Sequence, residues 1–130
     1  GAAASGAQRA TLAADARGHF FTTAAVNGVS LKFIVDTGAS VVTIGAEDAR
    51  RAGILYLSGQ KGLLQTANGV APAYRVKLDT VKLGEITLHN VDGVVVEGNA
   101  LGGVGLLGLS FLNRVEMRRD GDTMTLTRRF

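Results

Sequence analysis

The chain has no cysteine, one proline, two tyrosines and five phenylalanines among its 130 residues. Without cysteine there is no disulfide framework and no thiol chemistry, and the redox compartment stays open. So few aromatics mean that the core must be built from Val, Leu, Ile and Ala. No apolar run approaches the ~20 residues of a helical bilayer span, and no complete signal peptide is visible. The basic excess is small, 14 Lys and Arg against 11 Asp and Glu. Its late cluster, Arg114, Arg118, Arg119, Arg128 and Arg129, has no interleaved aromatic platform. That pattern reads as a solvated face or a patch toward an anionic membrane, and no nucleic-acid partner is expected.

What is present points to one all-β domain. An apolar content of 46% excludes a disordered chain, and 130 residues suffice for one core but not two. Eighteen glycines beside a single proline imply many tight turns. Residues 1–17 are rich in Ala, Gly and Ser, and are expected to be a flexible linker or tail, with at most a weak helix over 11–16. The domain is expected over 18–130. Strands are predicted at 19–26 and 29–35 around the two-residue turn Asn27-Gly28. A third is predicted at 40–44 and a short helix at 46–52, acidic at its start, basic at its end and closed by Gly53. A second Asn-Gly, Asn68-Gly69, predicts a hairpin. Further strands are expected at 73–81 and 86–90, then at 91–96 with an interruption at Asp92-Gly93. A short helix over 110–114 and a hairpin around Asp120-Gly121 complete the chain.

The segment that carries chemistry is Phe33-Ile34-Val35-Asp36-Thr37-Gly38-Ala39-Ser40. An ionisable carboxylate ends a β-branched apolar run and is followed at once by a tight turn of small residues. Burying such a carboxylate without purpose is costly. Asp-Thr-Gly in this setting resembles the active-site signature of aspartic proteases, and it occurs once. That chemistry needs two carboxylates sharing one proton, because two like charges in contact do not both ionise cheaply. One copy per chain therefore implies pairing with a second chain.

Two more features follow in order: the hairpin 65–70, and Leu106-Leu107-Gly108 with residues 109–114 behind it. Together the three resemble a single-domain retropepsin-like aspartic protease of the bacterial, membrane-anchored branch, over nearly all of residues 18–130. The resemblance implies a closed β-barrel of the acid protease fold with one or two short helices, one lobe per chain. It implies an endopeptidase acting as a homodimer on peptide or protein substrates, without metal or cofactor. It assigns Asp36 as the catalytic acid, with Thr37, Gly38, Ala39 and Ser40 supporting its loop. Gln65, Thr66, Ala67, Asn68 and Gly69 would form the substrate-covering flap, and Val42, Ile44, Leu64, Val70 and Leu107 the pocket walls. An N-terminal anchor preceding Gly1, with the domain in the bacterial periplasm, is likewise only an implication of the resemblance.

The chain departs from the viral enzymes at two places. Those enzymes pair an acidic residue after Asp-Thr-Gly-Ala with an Arg after the later Gly; here the positions hold Ser40 and Leu109. The homodimer is therefore expected to be weak and to rest on other contacts, such as a strand over 124–128. A catalytically silent peptide-binding or dimerisation module of the same fold stays open as the alternative. His19 and His89 are too far apart in sequence, and too poorly partnered, for a metal site. Asp79, Asp92, Asp120 and Asp122 read as turn residues.

Overall fold

In the computed structural model, which describes residues 6–129, order begins earlier than the composition of the N-terminal segment suggests. Gln8–Ala13 forms strand β1, antiparallel to Thr123–Arg128, the last strand β10, with Gln8 opposite Arg128 and Ala13 opposite Thr123. The expected tail over 1–17 is thus corrected from residue 8 onward, and no helix forms over 11–16. Residues 1–5 of that expectation lie outside the described residues. The cause is tertiary. Ala10 and Leu12 alternate inward and are buried in the same core as Met124 and Leu126, a partner more than a hundred residues away in the chain.

Phe21–Val26 (β2) and Val29–Val35 (β3) form the predicted hairpin. Its loop residues Asn27 and Gly28 adopt φ of 48° and 85°, the left-handed pair that a two-residue turn matching strand twist requires. Val42–Gly45 (β4) leads into helix α1, Ala46–Arg51, with Glu47 and Asp48 in the first turn and Arg50 and Arg51 in the last. That charge order suits the helix dipole. Lys61–Thr66 (β5) and Gly69–Leu83 (β6) form the second hairpin, followed by Ile86–Val96 (β7), Gly105–Leu107 (β8), helix α2 (Leu109–Leu112) and Glu116–Asp120 (β9).

Six strands close a barrel in the order β2-β3-β8-β4-β7-β6, sealed where Ala25 and Val26 of β2 meet Lys82 and Val81 of β6. Strand β5 lies outside the ring and pairs only with β6, so the β5–β6 hairpin stands beside the barrel as an arm. Strands β1, β10 and β9 make a separate three-stranded sheet. Phe33, Val42, Ile44, Leu78, Leu107 and Phe111 are fully buried and fill the barrel. The interruption expected at Asp92-Gly93 does not occur, and β7 runs through it. Gly93 is there because a Cβ would lie 3.2 Å from both the Leu78 side chain and the Val42 carbonyl oxygen. No helix among the described residues is long and apolar enough to cross a membrane.

Candidate active site

Strand β3 delivers Asp36 at its C-terminal end, beside the parallel strand β8, with Val35 opposite Leu107. The Asp36 amide donates to the Leu107 carbonyl at 3.1 Å, so the acid is fixed at the point where the barrel strand ends. The loop then folds back on it. The Gly38 amide donates to Asp36 Oδ1 at 2.9 Å, and the Ala39 amide to the Asp36 carbonyl at 3.2 Å. Asp36 is half-buried, while Thr37 and Gly38 are exposed.

A second loop crosses the first. The amides of Leu109 and Ser110 donate to the carbonyls of Ala39 and Ser40 at 2.8 and 3.0 Å. Backbone bonds therefore join the two loops at the positions where an acidic–Arg pair is missing. Gly108 makes the crossing close enough: a Cβ there would lie 2.5 Å from the Val41 carbonyl oxygen and 2.6 Å from that of Ala39. Ser110 Oγ accepts from the Val42 amide at 2.9 Å and donates to the Asp92 carbonyl at 2.6 Å. Gly108 and Ser110 were not singled out as site residues in the sequence. The Leu-Leu-Gly motif pointed at the first; nothing local marks the second, whose partners come from two distant strands.

An open cleft of about 710 Å³ lies over this crossing. Asp36, Gly38, Ala39 and Ser40 line one side, and Leu64 and Gln65 line the β5–β6 arm opposite. Three expected pocket residues are corrected: Val42, Ile44 and Leu107 point into the barrel and are buried. Their chain neighbours Val41, Thr43 and Leu106 face the cleft instead. Side chains of a strand alternate between its faces, so an error of one residue exchanges core and cleft. Val70 is also corrected: it is 60% exposed and is not part of this cleft wall.

The remaining flap residues form the tip of the arm, beyond the cleft wall. Thr66 Oγ1 accepts from the Asn68 amide at 3.1 Å and donates to the Gly69 carbonyl at 2.7 Å, closing a tight turn. The turn residues are Ala67 and Asn68, with Gly69 following at φ 106°, rather than Asn68-Gly69 itself. Asn68 Nδ2 donates to the Ala100 carbonyl at 2.8 Å, tying the tip to the loop after β7.

Asp92, expected beside a turn, lies in β7 and also lines the cleft. Its carboxylate is bonded to Lys77 Nζ. That hydrogen bond, and then the Lys77 charge, hold it below the ordinary carboxylate range. Asp79 likewise sits within strand β6 rather than in a turn. Behind the arm, burial and a hydrogen bond with Glu97 push the Tyr56 hydroxyl above its usual value, and Arg50 Nη1 donates to its oxygen at 3.2 Å. No group of three or more His, Asp or Glu residues among the described residues is placed to hold a metal ion.

The family described as "gag-polyprotein putative aspartyl protease" matches residues 22–114, which contain both crossing loops and the arm. This chain belongs to the retropepsin-like aspartic protease family. The crystal structure of a retropepsin-like aspartic protease from Rickettsia conorii superposes with a TM-score of 0.79 at 34% identity, covering 94% of this chain and 92% of that one. The EIAV protease, solved with the inhibitor HBY-793, is 19% identical with a TM-score of 0.53, over 72% of this chain and 84% of that one. That second likeness is one of fold. Among curated relatives, an uncharacterized protein of Sinorhizobium sp. is 38% identical over 86% of this chain and 48% of its own length. An uncharacterized protein of Rickettsia prowazekii is 38% identical over 88% of this chain and 49% of its own length. The retropepsin-like chain thus spans about half the length of the curated relatives it matches.

Proposed function

We propose that this retropepsin-like domain is an aspartic endopeptidase that works as a homodimer, with Asp36 of each subunit forming the acid pair. One observation carries the reading. Two carboxylates line the cleft, Asp36 and Asp92, and Asp92 is held ionised by Lys77. An acid kept charged by its own counter-ion is a poor partner for sharing a proton. The second carboxylate must then come from another chain, and the exposed Thr37-Gly38 turn offers the surface on which two such loops would meet.

In the pair, one Asp36 is ionised and takes a proton from a bound water. Its mate is protonated and donates to the scissile carbonyl, and the roles reverse as the tetrahedral intermediate breaks down. Gly38 keeps the backbone close to the acid, with its amide donating to Asp36 Oδ1. The β5–β6 arm offers strand-like backbone to an extended substrate.

The strand over 124–128, expected as a subunit contact, has no free edge to offer. It belongs to β10, which is bonded by β1 on one side and β9 on the other. Of the two outer strands of that sheet β9 is the more open: all five of its residues are exposed, whereas β1 buries Ala10 and Leu12. A chain of contacts links β9 to the strand that carries the acid. Arg119 stacks on the Phe20 ring at 5.1 Å, and the Phe20 carbonyl accepts from the amide of Val35, the residue before Asp36. An unpaired edge is a template for a second copy of itself. The membrane-anchored, periplasmic placement stays part of the proposal, to be tested by fractionating cells that express the full-length protein.

The decisive experiment is cleavage of a mixed peptide library by wild type, Asp36→Asn and Asp92→Asn across protein concentrations. Expected are cleavage that rises faster than linearly with enzyme, its loss in Asp36→Asn, and its survival in Asp92→Asn. Cleavage that survives in Asp36→Asn would overturn the reading. Peptide binding without any cleavage would favour a silent peptide-capturing module.

A further inference from the structure

One register row crosses the barrel from the active loop to the arm. Ile34 pairs with Leu106, Leu106 with Thr43, Thr43 with Val94 and Val94 with Arg75, whose amide donates to the Gln60 carbonyl at 2.9 Å. Residues paired directly across a sheet share a face, and Leu106, Thr43, Val94 and Arg75 all line the cleft. Neighbouring strands lie ~4.8 Å apart, so Arg75 stands about 14 Å along the cleft floor from Leu106. The row is apolar or neutral until it reaches this exposed guanidinium.

The neighbouring cations are already engaged. Lys77, two residues on and on the same face, is bonded to Asp92. Lys61, which also lines the cleft, is paired with Tyr74, with Nζ 5.8 Å from the centre of that ring. Among the described residues no carboxylate lies within ion-pair distance of Arg75, although its charge, after that of Lys77, helps to hold Asp92 below the ordinary carboxylate range. A guanidinium stays charged at any working pH and presents a fork that matches a carboxylate. We infer that Arg75 is a specificity residue that receives a carboxylate of the bound peptide, within about four residues of extended chain from the reacting bond. The inference rests on the cleft being the peptide site proposed above. The carboxylate has two sources: an Asp or Glu side chain, or the peptide's own C-terminus.

The test uses a peptide from the library above that the wild type cleaves or, if none is cleaved, one that it binds, with Glu, Gln or Lys placed in turn at each position, as C-terminal acid and as C-terminal amide. Binding of the same peptides to Asp36→Asn is measured in parallel by fluorescence anisotropy at low salt. At one position Glu should be preferred over Gln by about three- to tenfold, in kcat/KM and in Kd, with the preference shrinking at high salt. Arg75→Gln should bring that ratio to about one, Arg75→Lys should keep part of it, and Arg75→Glu should transfer the preference to the Lys peptide. If only the acid-versus-amide pair responds, the C-terminal carboxylate is the ligand. Equal handling of Glu, Gln and both termini overturns the inference, as does the absence of any peptide binding. Charge-selective binding to Asp36→Asn, with no cleavage by wild type, would sink the protease reading while leaving the role of Arg75 in place.

Discussion

Ser110 reaches across the barrel wall to Val42: its hydroxyl oxygen accepts the Val42 amide proton at 2.9 Å, and its own proton goes to the Asp92 carbonyl at 2.6 Å. One hydroxyl thus satisfies backbone groups of β4 and β7 while sitting on α2, just behind the loop crossing.

Ser110→Ala should therefore cost about 1–2 kcal/mol of stability, the penalty of leaving partly buried backbone groups unpaired. Urea unfolding monitored by circular dichroism checks this. An unchanged midpoint would mean that water replaces the hydroxyl there.

Gly108 is under a sterically harder constraint. Two carbonyl oxygens, of Val41 and Ala39, lie within 2.6 Å of where a Cβ would be. Backbone atoms cannot rotate away as a side chain can, so Gly108→Ala must shift the Asp36 loop itself. The expected cost is about 2–3 kcal/mol or more, with loss of Asp36-dependent cleavage even in the fraction that folds. Thermal unfolding and activity per folded molecule, measured together, separate the two effects.

Strand β1 carries real stability. Leu12 is buried against the core, and Leu12→Ala should cost about 2–4 kcal/mol. A melting temperature within a degree of wild type would show β1 to be dispensable.

If two copies join through β9, Met117→Pro should leave a folded monomer, since an edge strand tolerates proline better than an inner one. Sedimentation velocity should show loss of the dimer with far-UV circular dichroism unchanged, and cleavage should fall with it. A dimer that persists in this variant would move the interface elsewhere.

Asp15 makes the acid side of the stability profile testable. Its Oδ1 accepts the amides of His19 and Arg17, each at 2.9 Å. The His19 bond above all holds its carboxyl below the ordinary value. A depressed folded pKa contributes stability above the unfolded carboxylate pKa and loses it as pH falls through the folded one. Asp15→Asn should be less stable than wild type at neutral pH, and the gap should close in that acid window. Denaturant midpoints at several pH values measure it, and a gap independent of pH would contradict the assignment.

Part of this molecule is legible in its sequence. The Asn27-Gly28 hairpin, the apolar run ending in Asp36, and the helix at Ala46–Arg51 depend on neighbours in the chain. Turn chemistry, β-branched runs and charge order act within a few residues, so a linear reading recovers them. The larger misreadings share a cause, a partner distant in sequence. The Ala-rich stretch around Ala10 looks like linker until β10 is beside it. Asp92 looks like a turn residue until β4 and β6 flank it.

The sequence by itself determined that a carboxylate would end a buried strand in a tight glycine turn, and that only one chain-borne Asp-Thr-Gly would be available for a two-acid reaction. Tertiary structure alone decided which face of each strand looks into the cleft, so that Val41, Thr43 and Leu106 line it while Val42, Ile44 and Leu107 fill the barrel. It alone left β9 at an open edge and set Arg75 on the cleft floor. The reason is physical: alternation along a strand is local, but which side is inside is settled only when the sheet closes on itself.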